Sequence, residues 1–178
     1  EVVLTPGDED MAGAVRRAGE IIAQNPNCLE LRQFENPANP AVHRKTTGPE
    51  ILEATGGDIA AFVAGVGTGG TLTGAGEVLK AAIENLDIVA VEPASSPVLS
   101  GGKPGAHAIE GIGAGFVPEV LDTGIIDEVV RIGNHTAFAT ARRAARLEGL
   151  PVGISSGSAL AAALEIGCRP AMAGKLVV

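Results

Sequence analysis

The chain has no tryptophan or tyrosine, and four phenylalanines hold aromatics to 2% of its 178 residues. Together with 25 glycines, that shortage points to tight turns and close backbone approaches. Cysteine is scarce too. Cys28 and Cys168 form no CxxC pair, so neither a zinc site nor a disulfide framework is indicated, and a reducing cytoplasm fits best. His43, His107 and His135 share no ligand spacing, and no metal site is expected. Basic residues are outnumbered, 13 against 21 acidic, for a net charge of −8. Such a balance argues against nucleic acid or anionic lipid as partner. No charge-free apolar run is long enough to span a membrane, and no basic stretch precedes Val2-Val3-Leu4, as a signal peptide would require.

What is present is a chain long enough for one domain with a substantial core, 46% hydrophobic. The absent initiator Met and the apolar end Leu176-Val177-Val178 suggest that both termini are interior to a longer protein. Val2 to Leu4 reads as a strand end, and Thr5-Pro6-Gly7-Asp8 as a turn. Met11, Val15, Ala18, Ile21 and Ile22 recur at helical spacing until Asn25-Pro26-Asn27 stops them. Phe34 to Pro40 carries two prolines, which predicts extended, irregular backbone and an inter-domain crossing. Beyond it come a helix over 49–54, a strand over 59–64, a helix over 72–84 and a strand over 88–91. A Gly- and Pro-rich loop fills 93–117. Helix 136–147, ended by Gly149, an extended 152–154, helix 158–166 and a last strand from Leu176 complete the pattern. Alternation of this kind predicts an α/β fold, three layers α/β/α around a mainly parallel sheet.

The strongest chemical signal is Gly65-Val66-Gly67-Thr68-Gly69-Gly70-Thr71, between an apolar strand and a helix. Helix-start N–H groups are unpaired and attract anions, glycines admit the oxygens closely, and Thr68 and Thr71 add hydroxyl donors. The same turn can also close without any ligand. A second reading is open as well: Gly65, Gly67 and Gly70 spell GxGxxG, with Glu92 placed to hold a ribose, as in a nicotinamide-binding oxidoreductase. Two threonines in the loop favour a single phosphate.

Four stretches carry a family resemblance. Gly67-Thr68-Gly69-Gly70-Thr71 resembles the cofactor phosphate loop of the cysteine synthase family, among the fold type II, tryptophan-synthase-like pyridoxal-phosphate enzymes. Gln33 to Pro40, with His43-Arg44 and Thr46-Thr47, is similar to that family's domain crossing. Ser96 to Gly102 and Gly111 to Pro118 resemble its active-site loop, and Gly153-Ile154-Ser155-Ser156-Gly157 its pyridine-side turn.

The resemblance implies pyridoxal 5'-phosphate as cofactor, its phosphate held by Gly67, Thr68, Gly69, Gly70 and Thr71, with Ser155 against the pyridine nitrogen. A hydroxyl in place of a carboxylate there suits elimination at the β carbon. Gln33 would reach the substrate carboxylate, and Gly111, Gly113 and Ala114 would wall the substrate. The implied reaction takes O-acetyl-L-serine and sulfide to L-cysteine and acetate through a bound aminoacrylate. It further implies residues 1–33 as the end of a mobile N-terminal domain and 34–178 as a truncated cofactor-binding domain. A cytoplasmic homodimer that docks the C-terminal tail of serine acetyltransferase is implied as well.

Ala114-Gly115-Phe116 looks less like cystathionine β-synthase, which favours a bulkier aromatic and acidic pair, but a related β-replacement enzyme stays an alternative. A non-catalytic interaction unit is a third class. The family's Schiff-base lysine, in Ser-x-Lys-x-Arg, and its Thr-Ser-Gly-Asn loop are not in this sequence and are expected upstream of Glu1. Lys45, Lys80, Lys103 and Lys175 match no catalytic motif, so no catalytic residue is assigned. His43 and His135 read as solvated or capping side chains, His107 as loop support, and the two cysteines as packing or incidental residues. Arg142, Arg143 and Arg146 read as a solvated helix face.

Overall fold

The computed structural model describes residues 2–178. Three parallel strands, β1 (Ala61–Gly65), β2 (Asp87–Pro93) and β3 (Glu128–Ile132), stand in that order with unbroken register from Ala61↔Asp87 to Pro93↔Ile132. Val177 bridges Ala61 in parallel, so the C-terminal residues lie against the outer edge of β1. The helices are α1 (Asp10–Gln24), α2 (Ala38–Lys45), α3 (Thr47–Thr55), α4 (Gly70–Ala82), α5 (Asn134–Glu148) and α6 (Ile154–Gly167).

Side-chain alternation along the strands separates two cores. Ala61, Val63, Val89, Val91, Val130 and Ile132 face Ala137 of α5 and Ala162 and Ile166 of α6. Phe62, Ile88 and Ala90 face Leu72, Ala75 and Leu79 of α4 on the opposite side. Helices on both faces of a parallel sheet make the three-layer α/β/α fold expected from the sequence. Outside α4 lie α2 and α3. Gly74 lets α2 in: a β-carbon there would overlap the carbonyl oxygen of Pro40 and sit 2.8 Å from His43 Cβ. The Arg44 guanidinium clamps the same contact by pairing with Glu77, Nη2 donating to Oε1 over 2.9 Å.

Several local expectations need correction. Val2 to Leu4 forms no strand, and Val2 and Leu4 are 84% and 88% exposed. The double-proline segment is helical from Ala38, with Pro40 in the first turn. There its missing N–H leaves no intrahelical bond unmade, while Asn36 Oδ1 accepts from Ala38 N–H. Strand β3 was not anticipated. Residues 151–153 are irregular and Ile154 already begins α6, while the last strand reduces to a single bridge. Cys28 and Cys168 are both exposed, which leaves the incidental reading and not the packing one.

Candidate active site

The chain leaves β1 and β2 at their carboxyl ends, where parallel sheets gather ligands. Gly65 to Gly69 turns from β1 into α4, with Gly69 left-handed at φ 83° as its N-cap. Val66 is the hinge: its N–H donates to Val91 O over 3.0 Å, and its carbonyl accepts from Gly113 N–H over 2.9 Å. That second bond draws the 111–114 wall down onto the glycine loop. Contact is so tight that a β-carbon on Gly67 would overlap the carbonyl oxygen of Gly111.

The wall belongs to the irregular stretch between β2 and β3, anchored by Ile109 and Ile112 in the core. Glu92, 2% exposed, holds its start: the carboxyl accepts from Leu99 N–H (2.7 Å), Ser100 N–H (3.1 Å) and Ser100 Oγ (2.6 Å). Further along, His107 Nδ1 accepts from Ile109 N–H (3.2 Å), which leaves Nε2–H to donate to Gly113 O (3.0 Å). His107 is therefore a loop brace, as its position in the sequence suggested. A Glu92 carboxyl filled from within the chain is not free to hold a ribose, and the dinucleotide reading loses its acidic anchor.

Gln33, Phe34, Gly67, Thr68, His107, Glu110 and 111–114 line one cavity of about 320 Å³ with Asp10 and Met11 of α1. Of the anticipated site residues, Gln33, Gly67, Thr68, Gly111, Gly113 and Ala114 share it. Gly69, Gly70 and Thr71, the N-cap and first residues of α4, are not among its lining residues. Ser155, half-buried in the first turn of α6, stands outside its lining, but its Oγ lies 3.8 Å from where a Gly111 β-carbon would be. Phe34 and Phe116 meet edge to face with centroids 5.0 Å apart, closing one flank.

An anion here would be held by backbone N–H groups and not by a basic side chain. No lysine or arginine lines the cavity, while Asp10 and Glu110 do. Lys80 is occupied by Asp127 and the Ile125 carbonyl, and Lys45, Lys103 and Lys175 are exposed. Among the described residues, the N–H groups of Thr71 and Leu72 meet no acceptor, and they open the 13-residue α4 helix at its positive end.

Two residues of α2 that the sequence did not assign to the site touch the loop. Asn39 Nδ2 donates to Thr68 Oγ1 (2.9 Å) and to Gln33 O (2.8 Å), tying the glycine loop to the Gln33 segment. His43 reaches Thr71 Oγ1 through Nε2 (3.2 Å) and Thr47 Oγ1 through Nδ1 (2.8 Å). It is thus not a solvated histidine. The signal that could have found both was the i, i+4 spacing of Asn39 and His43 beside a loop with threonines three apart.

The whole sequence, residues 1–178, matches the family described as pyridoxal-phosphate dependent enzyme. The chain belongs to that family. Its relatives narrow the likeness. It is 54% identical over 166 residues to a cysteine synthase of Staphylococcus aureus, covering 93% of this chain and 53% of that protein. The crystal structure of cysteine synthase from Entamoeba histolytica superposes with a TM-score of 0.93 at 39% identity, covering 100% of this chain and 53% of that one. An O-acetylserine dependent cystathionine beta-synthase from Helicobacter pylori superposes at 0.90 with 40% identity, over 99% of this chain and 57% of that one. The chain spans about half the length of the curated relatives it matches. The fold is that of the fold type II pyridoxal-phosphate enzymes, and the cofactor of the family is pyridoxal phosphate.

The residues present fit that cofactor at its phosphate end. Two helix-start N–H groups lack acceptors beside the glycine loop, and Thr68 lines the cavity.

Proposed function

We propose that this chain is the cofactor-binding part of a cysteine synthase, which converts O-acetyl-L-serine and sulfide to L-cysteine and acetate. The observation that carries the reading is the meeting of three separate segments, Gln33, Gly67-Thr68 and 111–114, around one cavity. The 54% identity to a cysteine synthase supports the choice of reaction within the family.

In this reading Gly67 to Thr71 hold the cofactor phosphate by backbone N–H groups and two hydroxyls. The Ser155 hydroxyl faces the pyridine nitrogen, a neutral partner that leaves the ring free of a forced proton. The cofactor supplies the electron-withdrawing ring that lets acetate leave the β carbon. Gln33 binds the substrate carboxylate through its side-chain amide. Gly111, Gly113 and Ala114 close over the substrate and exclude water, which strengthens each hydrogen bond within. The Schiff-base lysine comes from outside these 178 residues. Residues 1–33 belong to a mobile domain and 34–178 to the larger one, in a cytoplasmic homodimer whose active site also accepts the tail of serine acetyltransferase.

The test is an enzyme of the relatives' full length that contains this chain, assayed for cysteine from O-acetylserine and sulfide. Cysteine formation that falls in Gln33→Ala, with cofactor absorbance retained, supports the reading. Product only with homocysteine as thiol would move the assignment to a cystathionine-forming enzyme.

A further inference from the structure

We propose that α2 sets the polarity of the phosphate loop: Asn39 and His43 act as positioning residues that turn the hydroxyl hydrogens of Thr68 and Thr71 toward the cofactor phosphate. The inference rests on the reading that this loop holds that phosphate.

A hydroxyl has one hydrogen to give and two lone pairs to fill. Beside a phosphate, a threonine helps only if that hydrogen is free. Pointed elsewhere, it leaves a lone pair facing a dianion. At Thr68 the question is settled by counting. Oγ1 accepts from Asn39 Nδ2 (2.9 Å) and from Gly70 N–H (3.3 Å), so both lone pairs are used. The remaining O–H is free to donate into the cavity that Thr68 lines.

Thr71 follows the same logic one turn further along. With Thr47 as the hydroxyl donor to His43 Nδ1 (2.8 Å), the ring hydrogen lies on Nε2. Nε2–H then donates to Thr71 Oγ1 (3.2 Å), and the Thr71 hydrogen is released beside its own acceptor-free backbone N–H. The opposite tautomer would consume that hydrogen and reverse the hydroxyl. Helix α2 can deliver both side chains because Asn39 and His43 lie one turn apart and share a face. Its close approach to α4 comes from Gly74, against which Pro40 O and His43 Cβ rest.

The test uses apoenzyme of the relatives' full length, with affinity measured for pyridoxal phosphate and for pyridoxal, which lacks the phosphate. His43→Leu should weaken pyridoxal phosphate about tenfold, the value of one net hydrogen bond, and leave pyridoxal unchanged. His43→Gln, which puts an amide N–H near the Nε2 position, should recover most of that loss. In a Thr71→Val background, His43→Leu should add nothing further. Asn39→Asp, which replaces a donor with an acceptor, should also weaken pyridoxal phosphate selectively. The phosphorus NMR shift of bound cofactor should move in His43→Leu and return in His43→Gln. Equal losses for both ligands, or a full second loss in the Thr71→Val background, would overturn the proposal. Unchanged pyridoxal phosphate affinity in Thr71→Val itself would instead overturn the phosphate reading of the loop. Should Asn39→Asp fail to fold, the His43 series decides alone.

Discussion

Gly67 lies so close to Gly111 that the one has no room for a β-carbon beneath the carbonyl oxygen of the other. The two are 44 positions apart, and their contact holds the wall over the glycine loop. Gly67→Ala should therefore push the wall outward. Overpacking of this kind costs about 1–3 kcal/mol. Thermal unfolding should register the loss, and cofactor affinity should fall with it. An alanine variant with unchanged melting and unchanged affinity would show that the wall yields freely.

Ser155 lies in the first turn of α6, its Oγ 3.8 Å from where a Gly111 β-carbon would be. In the holoenzyme, Ser155→Ala should reduce elimination of acetate more than it reduces cofactor binding. Stopped-flow absorbance with O-acetylserine, compared with cofactor affinity, separates the two. Equal losses in both would reduce Ser155 to a structural residue.

Glu92 gathers three hydrogen bonds in a buried position. Glu92→Ala strands two backbone N–H groups, and an unsatisfied buried group costs about 1–3 kcal/mol. We expect a lower melting temperature and faster amide exchange at Leu99 and Ser100. Exchange at wild-type rates there would contradict this role.

The Arg44 guanidinium, bonded to Glu77, holds that carboxyl below the usual range against the opposing effect of burial. A depressed carboxylate contributes stability that is present above its unfolded pKa and is lost as pH falls through its folded value. Both side chains are about a third exposed, so the pair is worth roughly 0.2–1 kcal/mol. Glu77→Gln should be less stable than wild type at neutral pH, and the gap should close on acidification below the ordinary glutamate range. A constant gap across that range would mean the ion pair contributes nothing.

The 178-residue polypeptide by itself should not form a specific lysine–cofactor linkage, since no lysine lines the cavity. Incubation with pyridoxal phosphate, borohydride reduction and peptide mapping should give scattered labelling at the exposed lysines. One lysine labelled to near one equivalent would contradict the geometry.

The legible parts of this fold were those with a period. Helices α1, α4 and α5, strands β1 and β2 and the glycine loop all announced themselves by spacing. Strand β3 did not, because five residues interrupted by Glu128 and Arg131 give too short an alternation, and Glu128 is engaged by Arg169 across 41 positions. Pro37 and Pro40 misled because a proline breaks a helix interior but not its first turn. His43 looked solvated because Thr71 is 28 positions away, and only the packing of α2 on α4 joins them. Glu92 had the right spacing for a ribose, but its side chain turns into its own loop.

Val66 also dictates an order of assembly. Its carbonyl can receive the Gly113 N–H only once its own N–H is fixed to Val91, that is, once β1 and β2 lie in register. Closing the 47-residue span to Gly113 costs chain entropy that the wall's few anchors recover late. The wall is therefore expected to form late and to open before the sheet beneath it. Its amide protection can approach that of the sheet beneath it but never exceed it.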